Sequence, residues 1–168
     1  MCGIFGYLSP SPLENKSLKD ERFLETLDKL RHRGPDDSGL ESFKIFSKNS
    51  FSPELILGHT RLSIIDLSSG GHQPMHSLDG RYTLIFNGEI YNYKELRTEL
   101  ESLGYKFLTD SDSEVLLVFW QHWGLNSLSR LSGMFAFAVY DKFDNSLTLV
   151  RDAFGIKPLF YQNDSEGF

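Results

Sequence analysis

The chain has 168 residues, 40% hydrophobic and 24% charged, which is enough for one domain with a real core. Its net charge of -6 and isoelectric point near 5.3 come with no basic stripe, which argues against a nucleic-acid partner. No charged leader precedes an apolar stretch, no apolar run reaches the ~18 residues of a membrane span, and a single cysteine fits a reducing cytoplasm.

An aromatic content of 14%, with 14 Phe, favours buried strands over a helical bundle. Residues 4–8 form a short apolar run stopped by Ser-Pro-Ser-Pro at 9–12, a strand followed by a turn. Phe23, Leu24, Leu27 and Leu30 share a helical face, which predicts a helix over 18–31 that stops at Gly34 and Pro35. Segments 40–46 and 55–58 read as strands, and 67–80, rich in Gly, Pro and Asp, as a long loop. An apolar strand over 82–86 runs into Asn87-Gly88. Leu96, Leu100 and Leu103 mark a helix ending at Gly104, and 105–108 reads as a short strand. Ser111 or Asp112 caps a helix across 113–123, with Glu114 in its first turn. Residues 134–140 are almost wholly apolar, as a strand buried on both faces is, and 147–150 returns as its hairpin partner across the turn at 141–145. A last strand is expected over 159–161. Strands interleaved with helices point to stacked sheets under helical layers.

Cys2 follows Met1 directly. Removal of Met1 would leave a thiol and a free α-amine on one residue. A thiol is a strong nucleophile only as thiolate, and an α-amine, with an ordinary pKa of about 7.7–8.0, can act as its base. A nucleophile attacking an amide also needs oxyanion donors and a hold on the substrate. Asn87-Gly88 offers an amide NH2 and a backbone N–H, or it is a strand-end turn. Arg61 can take a carboxylate through two parallel hydrogen bonds, or form a structural ion pair. Asp112 can hold an ammonium, or cap its helix. A cation site and an anion site together suit a free amino acid.

The blocks Met-Cys-Gly-Ile-Phe-Gly (1–6), Arg-His-Arg-Gly-Pro-Asp-Asp-Ser-Gly (31–39), Gly-His-Thr-Arg-Leu-Ser-Ile-Ile-Asp-Leu (58–67) and Gly-His-Gln-Pro-Met (71–75) resemble the glutamine-hydrolysing asparagine synthetases. So do Phe-Asn-Gly-Glu-Ile-Tyr-Asn-Tyr (86–93), Ser-Asp-Ser-Glu (111–114), Ser-Gly-Met-Phe-Ala-Phe-Ala-Val-Tyr-Asp (132–141) and Arg-Asp-Ala-Phe-Gly-Ile-Lys-Pro-Leu-Phe-Tyr (151–161). They stand in family order and span residues 1–168 almost entirely. The chain is thereby identified as resembling a class II, N-terminal-cysteine glutamine amidotransferase domain.

That resemblance implies an α+β fold, a four-layer αββα sandwich of two stacked, mostly antiparallel sheets. It implies Cys2 as nucleophile on the side-chain amide of L-glutamine, with its own α-amine as base. Asn87 and Gly88 would form the oxyanion hole, Arg61 would bind the α-carboxylate, Glu89 and Asp112 the α-amino side, and backbone near Ile64 and Ile65 would line the pocket. A thioester forms, ammonia leaves, and water releases glutamate. No cofactor or metal is expected in this domain. ATP and Mg are expected in a C-terminal synthetase domain or partner subunit, whose pyrophosphate loop this sequence lacks. The polar end at Phe168 favours an excised domain. The ammonia acceptor is then aspartate or, alternatively, a sugar-acid carboxylate in surface-polysaccharide synthesis. An inactive scaffold and a proteasome-like peptidase are the competing readings. Retention of Cys2, Arg61, Asn87, Gly88 and Asp112 argues against the first. The pair of sites for free α-groups argues against the second. Asp110 adds a charge near the ammonium site, either tightening binding or facing solvent. His32, His59, His72, His76 and His122 show no metal-ligand spacing and read as structural or surface residues.

Overall fold

The computed structural model describes residues 1–9, 16–45, 53–165 and 167–168. Two antiparallel sheets organise them. In the first, β3 (Glu54–Arg61) lies between β1 (Gly3–Ser9) and β2 (Asp37–Lys44). In the second the order is β4 (Met75–His76), β5 (Tyr82–Ile90), β6 (Gly133–Asp141) and β7 (Ser146–Arg151). The helices are α1 (Lys16–Leu30), α2 (Tyr93–Ser102) and α3 (Asp112–Trp123).

The period of two along each strand sorts the side chains into layers. Leu55 and Leu57 of β3 face inward and meet Ile85, Ala138 and Tyr140 of the second sheet. On the opposite face of the first sheet, Phe5 and Tyr7 pack against Phe23 of α1. On the outer face of the second sheet, Leu84, Phe86, Phe135 and Phe137 lie under Leu96 and Leu100 of α2 and Leu116 and Phe119 of α3. The layers run helix, sheet, sheet, helix pair, the αββα arrangement expected. Truncating a fully buried side chain here, such as Phe119, costs about 3–5 kcal/mol.

The structure corrects several element boundaries. β3 extends past 58 to Arg61 and β5 past 86 to Ile90, because polar residues at both ends remain in the ladder while lining a cleft instead of the core. β2 begins at Asp37 and ends at Lys44, and Phe46 lies outside the described residues, as do residues 10–12 of the expected turn. The 67–80 loop contains a 3-10 turn, Ser69–Gly71, and the short β4. Residues 105–108 are not a strand: the Leu108 N–H goes to the Glu114 carboxylate at 2.8 Å. Residues 159–161 are not a strand either; Phe160 and Tyr161 stand out into solvent. Ser111, not Asp112, caps α3, its Oγ accepting from Glu114 N at 3.2 Å.

Candidate active site

The polar ends of β3 and β5 are joined across the sandwich by His59, whose Nε2 donates to Phe86 O at 3.1 Å. Burial lowers its pKa from 6.5 to about 4, so the ring is neutral and its buried Nδ1 has no partner among the described residues. Gln73 grips the same residue: its Oε1 accepts Phe86 N at 2.6 Å and its Nε2 donates to Ser113 Oγ at 3.2 Å. Phe86 is thus held on both backbone groups, and the two residues after it are fixed in position.

Beside them opens a cleft lined by Cys2, Arg61, Ile64, Ile65, Asn87, Gly88, Glu89 and Asp112, together with Met1, Leu62, Gln73 and Lys157. Every candidate from the sequence is brought to one place. Cys2 is half-buried at the start of β1, and its Sγ accepts the Leu62 N–H at 3.4 Å. The next residue is moored: Gly3 N donates to Thr60 Oγ1 at 3.2 Å, which donates to Leu30 O at 3.2 Å.

Arg61 is buried at the end of β3. Its Nη1 donates to Ser68 O at 2.6 Å and its Nη2 to Asp66 O. No carboxylate pairs with it among the described residues, so the structural ion-pair reading does not hold. The guanidinium lies against Gly71, where a Cβ would stand 2.0 Å from Nη2. The 3-10 turn therefore needs glycine at that position for the arginine to sit where it does. An unpaired buried cation with spare N–H donors is a ready partner for a guest carboxylate.

Asn87 and Gly88 sit in the middle of the β5–β6 ladder, opposite Ala136 and Phe135, so they are not a turn. Gly88 is required by close approach: a Cβ there would lie 2.2 Å from Met134 O. Asn87 is buried, and its Oδ1 has no partner among the described residues. Alternate backbone N–H groups along a strand point to the same edge. On the edge facing away from β6, Phe86 N–H is taken by Gln73 and Ile90 N–H by Asp112 Oδ2 at 3.0 Å. The Gly88 N–H between them points toward the cleft that those side chains line.

Asp112 opens α3 and is buried. Burial raises its pKa from 3.8 to about 6, and the charge of Glu89 adds to this, together outweighing the Ile90 hydrogen bond. Asp110 faces solvent, its side chain 93% exposed and 3.5 Å from Arg97. Ile64 and Ile65 belong to the segment after β3, which Asp36 holds by accepting Ser63 N at 2.8 Å. Four of the histidines have local partners: His72 with Asp37, His76 with Glu41, His122 with Tyr105, and His32 with Lys29 O. Reasoning from sequence missed Gln73 as a brace; it set Ile156-Lys157-Pro158 on the approach to the synthetase side and an ammonia path, and Lys157 lines the cleft itself. For Gln73 the available signal was a polar side chain wedged between Gly71-His72 and Pro74, ahead of apolar Met75.

Residues 1–168 match the family model described as the glutamine amidotransferase domain. The chain is 46% identical to asparagine synthetase [glutamine-hydrolyzing] 1 of Bacillus subtilis over 162 residues, covering 96% of this chain and 24% of that protein. It is 41% identical over 160 residues to asparagine synthetase [glutamine-hydrolyzing] 2 of Arabidopsis thaliana, with 95% and 25% covered. It is 39% identical over 168 residues to a Gibberella zeae protein named amidase chry2, with 96% and 24% covered. The chain spans about a quarter of the length of these curated relatives.

Proposed function

The chain belongs to the glutamine amidotransferase domain family, and from that premise we propose that Cys2, once Met1 is removed, hydrolyses the side-chain amide of L-glutamine through a thioester. The observation that carries this reading is the placement of a half-buried thiol, an unpaired buried arginine and a buried carboxylate in one cleft.

Arg61 takes the α-carboxylate of glutamine, and Asp112 with Glu89 takes its α-ammonium. This leaves the side-chain amide to reach Sγ, turning an encounter into a positioned reaction. The Sγ proton passes to the Cys2 α-amine as sulfur bonds the amide carbon. The oxyanion receives the Gly88 N–H and the Asn87 amide NH2, neutral donors that suit an amide. Collapse breaks the C–N bond, and the departing ammonia takes the proton back from the α-ammonium. Water, deprotonated by the same amine, then attacks the thioester carbonyl; glutamate leaves and the thiol is restored. The net change is glutamine and water to glutamate and ammonia.

In the whole protein the ammonia would go to a synthetase region beyond this chain, where ATP and Mg would activate the acceptor carboxylate. Aspartate is the acceptor suggested by the names of the synthetase relatives, and a sugar-acid carboxylate in surface-polysaccharide synthesis is the alternative. Phe154 and Phe160, each 90% exposed, and the neighbouring Ile156 and Tyr161 offer an apolar face for that region to cover.

The test is glutamate release with intact-mass measurement of the N-terminus. Activity should track the fraction of chains beginning at Cys2, and Cys2→Ala should abolish it with the fold intact. Full activity in chains that retain Met1 would overturn the amine's role.

A further inference from the structure

The block from Arg151 to Tyr161 gives no residue to the mechanism above, and its centre is a loop wound around one carboxylate. Asp152 accepts N–H groups from Phe135, Phe154, Ile156 and Lys157 at 3.1, 3.1, 2.9 and 3.0 Å. Burial works to raise its pKa, but these donors outweigh it and hold Asp152 below the ordinary carboxylate value, ionised. Gly155 supplies a left-handed turn at φ 63, and Arg151 clamps the far side, donating to Gly155 O at 2.7 Å and Lys157 O at 2.9 Å. So many bonds within a short loop define the position of the residue that ends it.

That residue is Lys157, whose side chain enters the cleft and is only 3% exposed. Burying an ammonium is costly unless a counter-charge meets it. No carboxylate pairs with Lys157 among the described residues. Its Nζ instead lies 2.8 Å from Sδ of Met1, the residue bonded to the Cys2 nitrogen, and a thioether is a weak acceptor. The other charged groups lining the cleft are Arg61, Asp66, Glu89 and Asp112. Arg61 is turned to the Ser68 and Asp66 carbonyls, Asp112 to Ile90 N, and Asp66 to Ser68 N and Asp110 N. Glu89 sits beside Asp112 and adds to its charge field. Lys157 is the one of them that touches the residue covalently joined to Cys2.

We propose that Lys157 is a positioning residue for glutamine hydrolysis: its fixed ammonium keeps the freed Cys2 α-amine in the neutral, proton-accepting form at neutral pH. The inference rests on the reading of Cys2 as an N-terminal nucleophile. Removing Met1 takes away the thioether that Nζ contacts and leaves Lys157 and the new α-amine lining the same cleft, where a like charge disfavours the protonated amine. The charge of Lys157 would thus let the α-amine work as base below the pH at which a free α-amine ionises.

The experiment compares kcat/KM for glutamine against pH in the full-length protein carrying this chain, for the parent, Lys157→Met and Lys157→Arg. The acid limb of the Lys157→Met profile should move up by about one pH unit. That means about tenfold lower activity near pH 6.5 and convergence with the parent at high pH, and Lys157→Arg should restore the limb. Lys157→Gln, which keeps a donor without the charge, is measured alongside in case methionine does not fold. The rate of iodoacetamide alkylation of Cys2 against pH gives a readout free of substrate binding, and its curve should shift the same way. A uniform loss at every pH, or neutral variants with the parent's acid limb, would overturn the assignment. Cys2→Ala in the same assay separates the two ideas: persistent hydrolysis there defeats the nucleophile, whereas a dead Cys2→Ala with an unmoved Lys157→Gln limb defeats only the role of Lys157.

Discussion

Asp112→Asn should stabilise the fold while weakening the site. Folding moves this carboxyl from 3.8 to about 6, chiefly by burial. A shift of about two units is a penalty of about 3 kcal/mol on the ionised form. Because the folded pKa is the higher one, the penalty is full at pH 7 and gone below 3.8, so through this group the fold gains stability as pH falls from about 6. His59 runs the other way. Its folded pKa of about 4 lies under the ordinary 6.5, so its contribution is present at pH 7 and is lost as pH falls through that window. That loss is also about 3 kcal/mol, and the two trends largely cancel in the parent chain. The difference between variant and parent isolates Asp112. Asparagine still accepts the Ile90 N–H but cannot ionise. The variant should match the parent near pH 4 and exceed it by about 3 kcal/mol at pH 7.5, or roughly 6–12 °C in Tm. The same change removes the anion for the α-ammonium. A hydrogen bond to a charged group is worth about 1.5–3 kcal/mol, which predicts KM for glutamine at least about tenfold higher. In the parent, KM should climb as pH drops below about 6 and Asp112 takes up a proton. Denaturant melts from pH 4 to 8, paired with glutaminase kinetics, read both effects. A stability difference that does not grow with pH, or a variant with unchanged KM, would refute the reasoning.

Asn87→Ala should lower kcat by about 10²–10³, or about 2.7–4 kcal/mol, with little change in KM. A small loss would leave Gly88 as the sole oxyanion donor. Gly71→Ala pushes a methyl to 2.0 Å from Arg61 Nη2, so the guanidinium must shift. KM for glutamine should rise with kcat less affected, and steady-state kinetics showing an unmoved KM would remove Arg61 from the α-carboxylate.

The apolar parts of the fold were legible because burial writes a period into the sequence. The run over 134–140 became β6, and the face of Leu96 and Leu100 became the buried side of α2. Legibility failed where strands cease to face the core. His59-Thr60-Arg61 and Asn87-Gly88-Glu89 remain in their ladders, yet their polarity reads as loop. The apolar residues of 105–108 and 159–161 misled in the opposite direction. The first segment gives an N–H to the Glu114 carboxylate, and the second exposes Phe160 and Tyr161.

By itself the chain's covalent order put a lone cysteine next to Met1, and its motif set named the residues that line the cleft. Those are local properties, carried by adjacency and spacing. Which N–H stays free for a guest, which carboxyl resists ionisation and which lysine reaches the N-terminus were decided only in three dimensions. Gly88 is left open because Gln73 and Asp112 occupy the N–H groups on either side of it. Asp112 reaches Ile90 across 22 positions and Lys157 reaches Met1 across 156. Hydrogen-bond ownership and desolvation depend on neighbours in space, and no period along the chain records them.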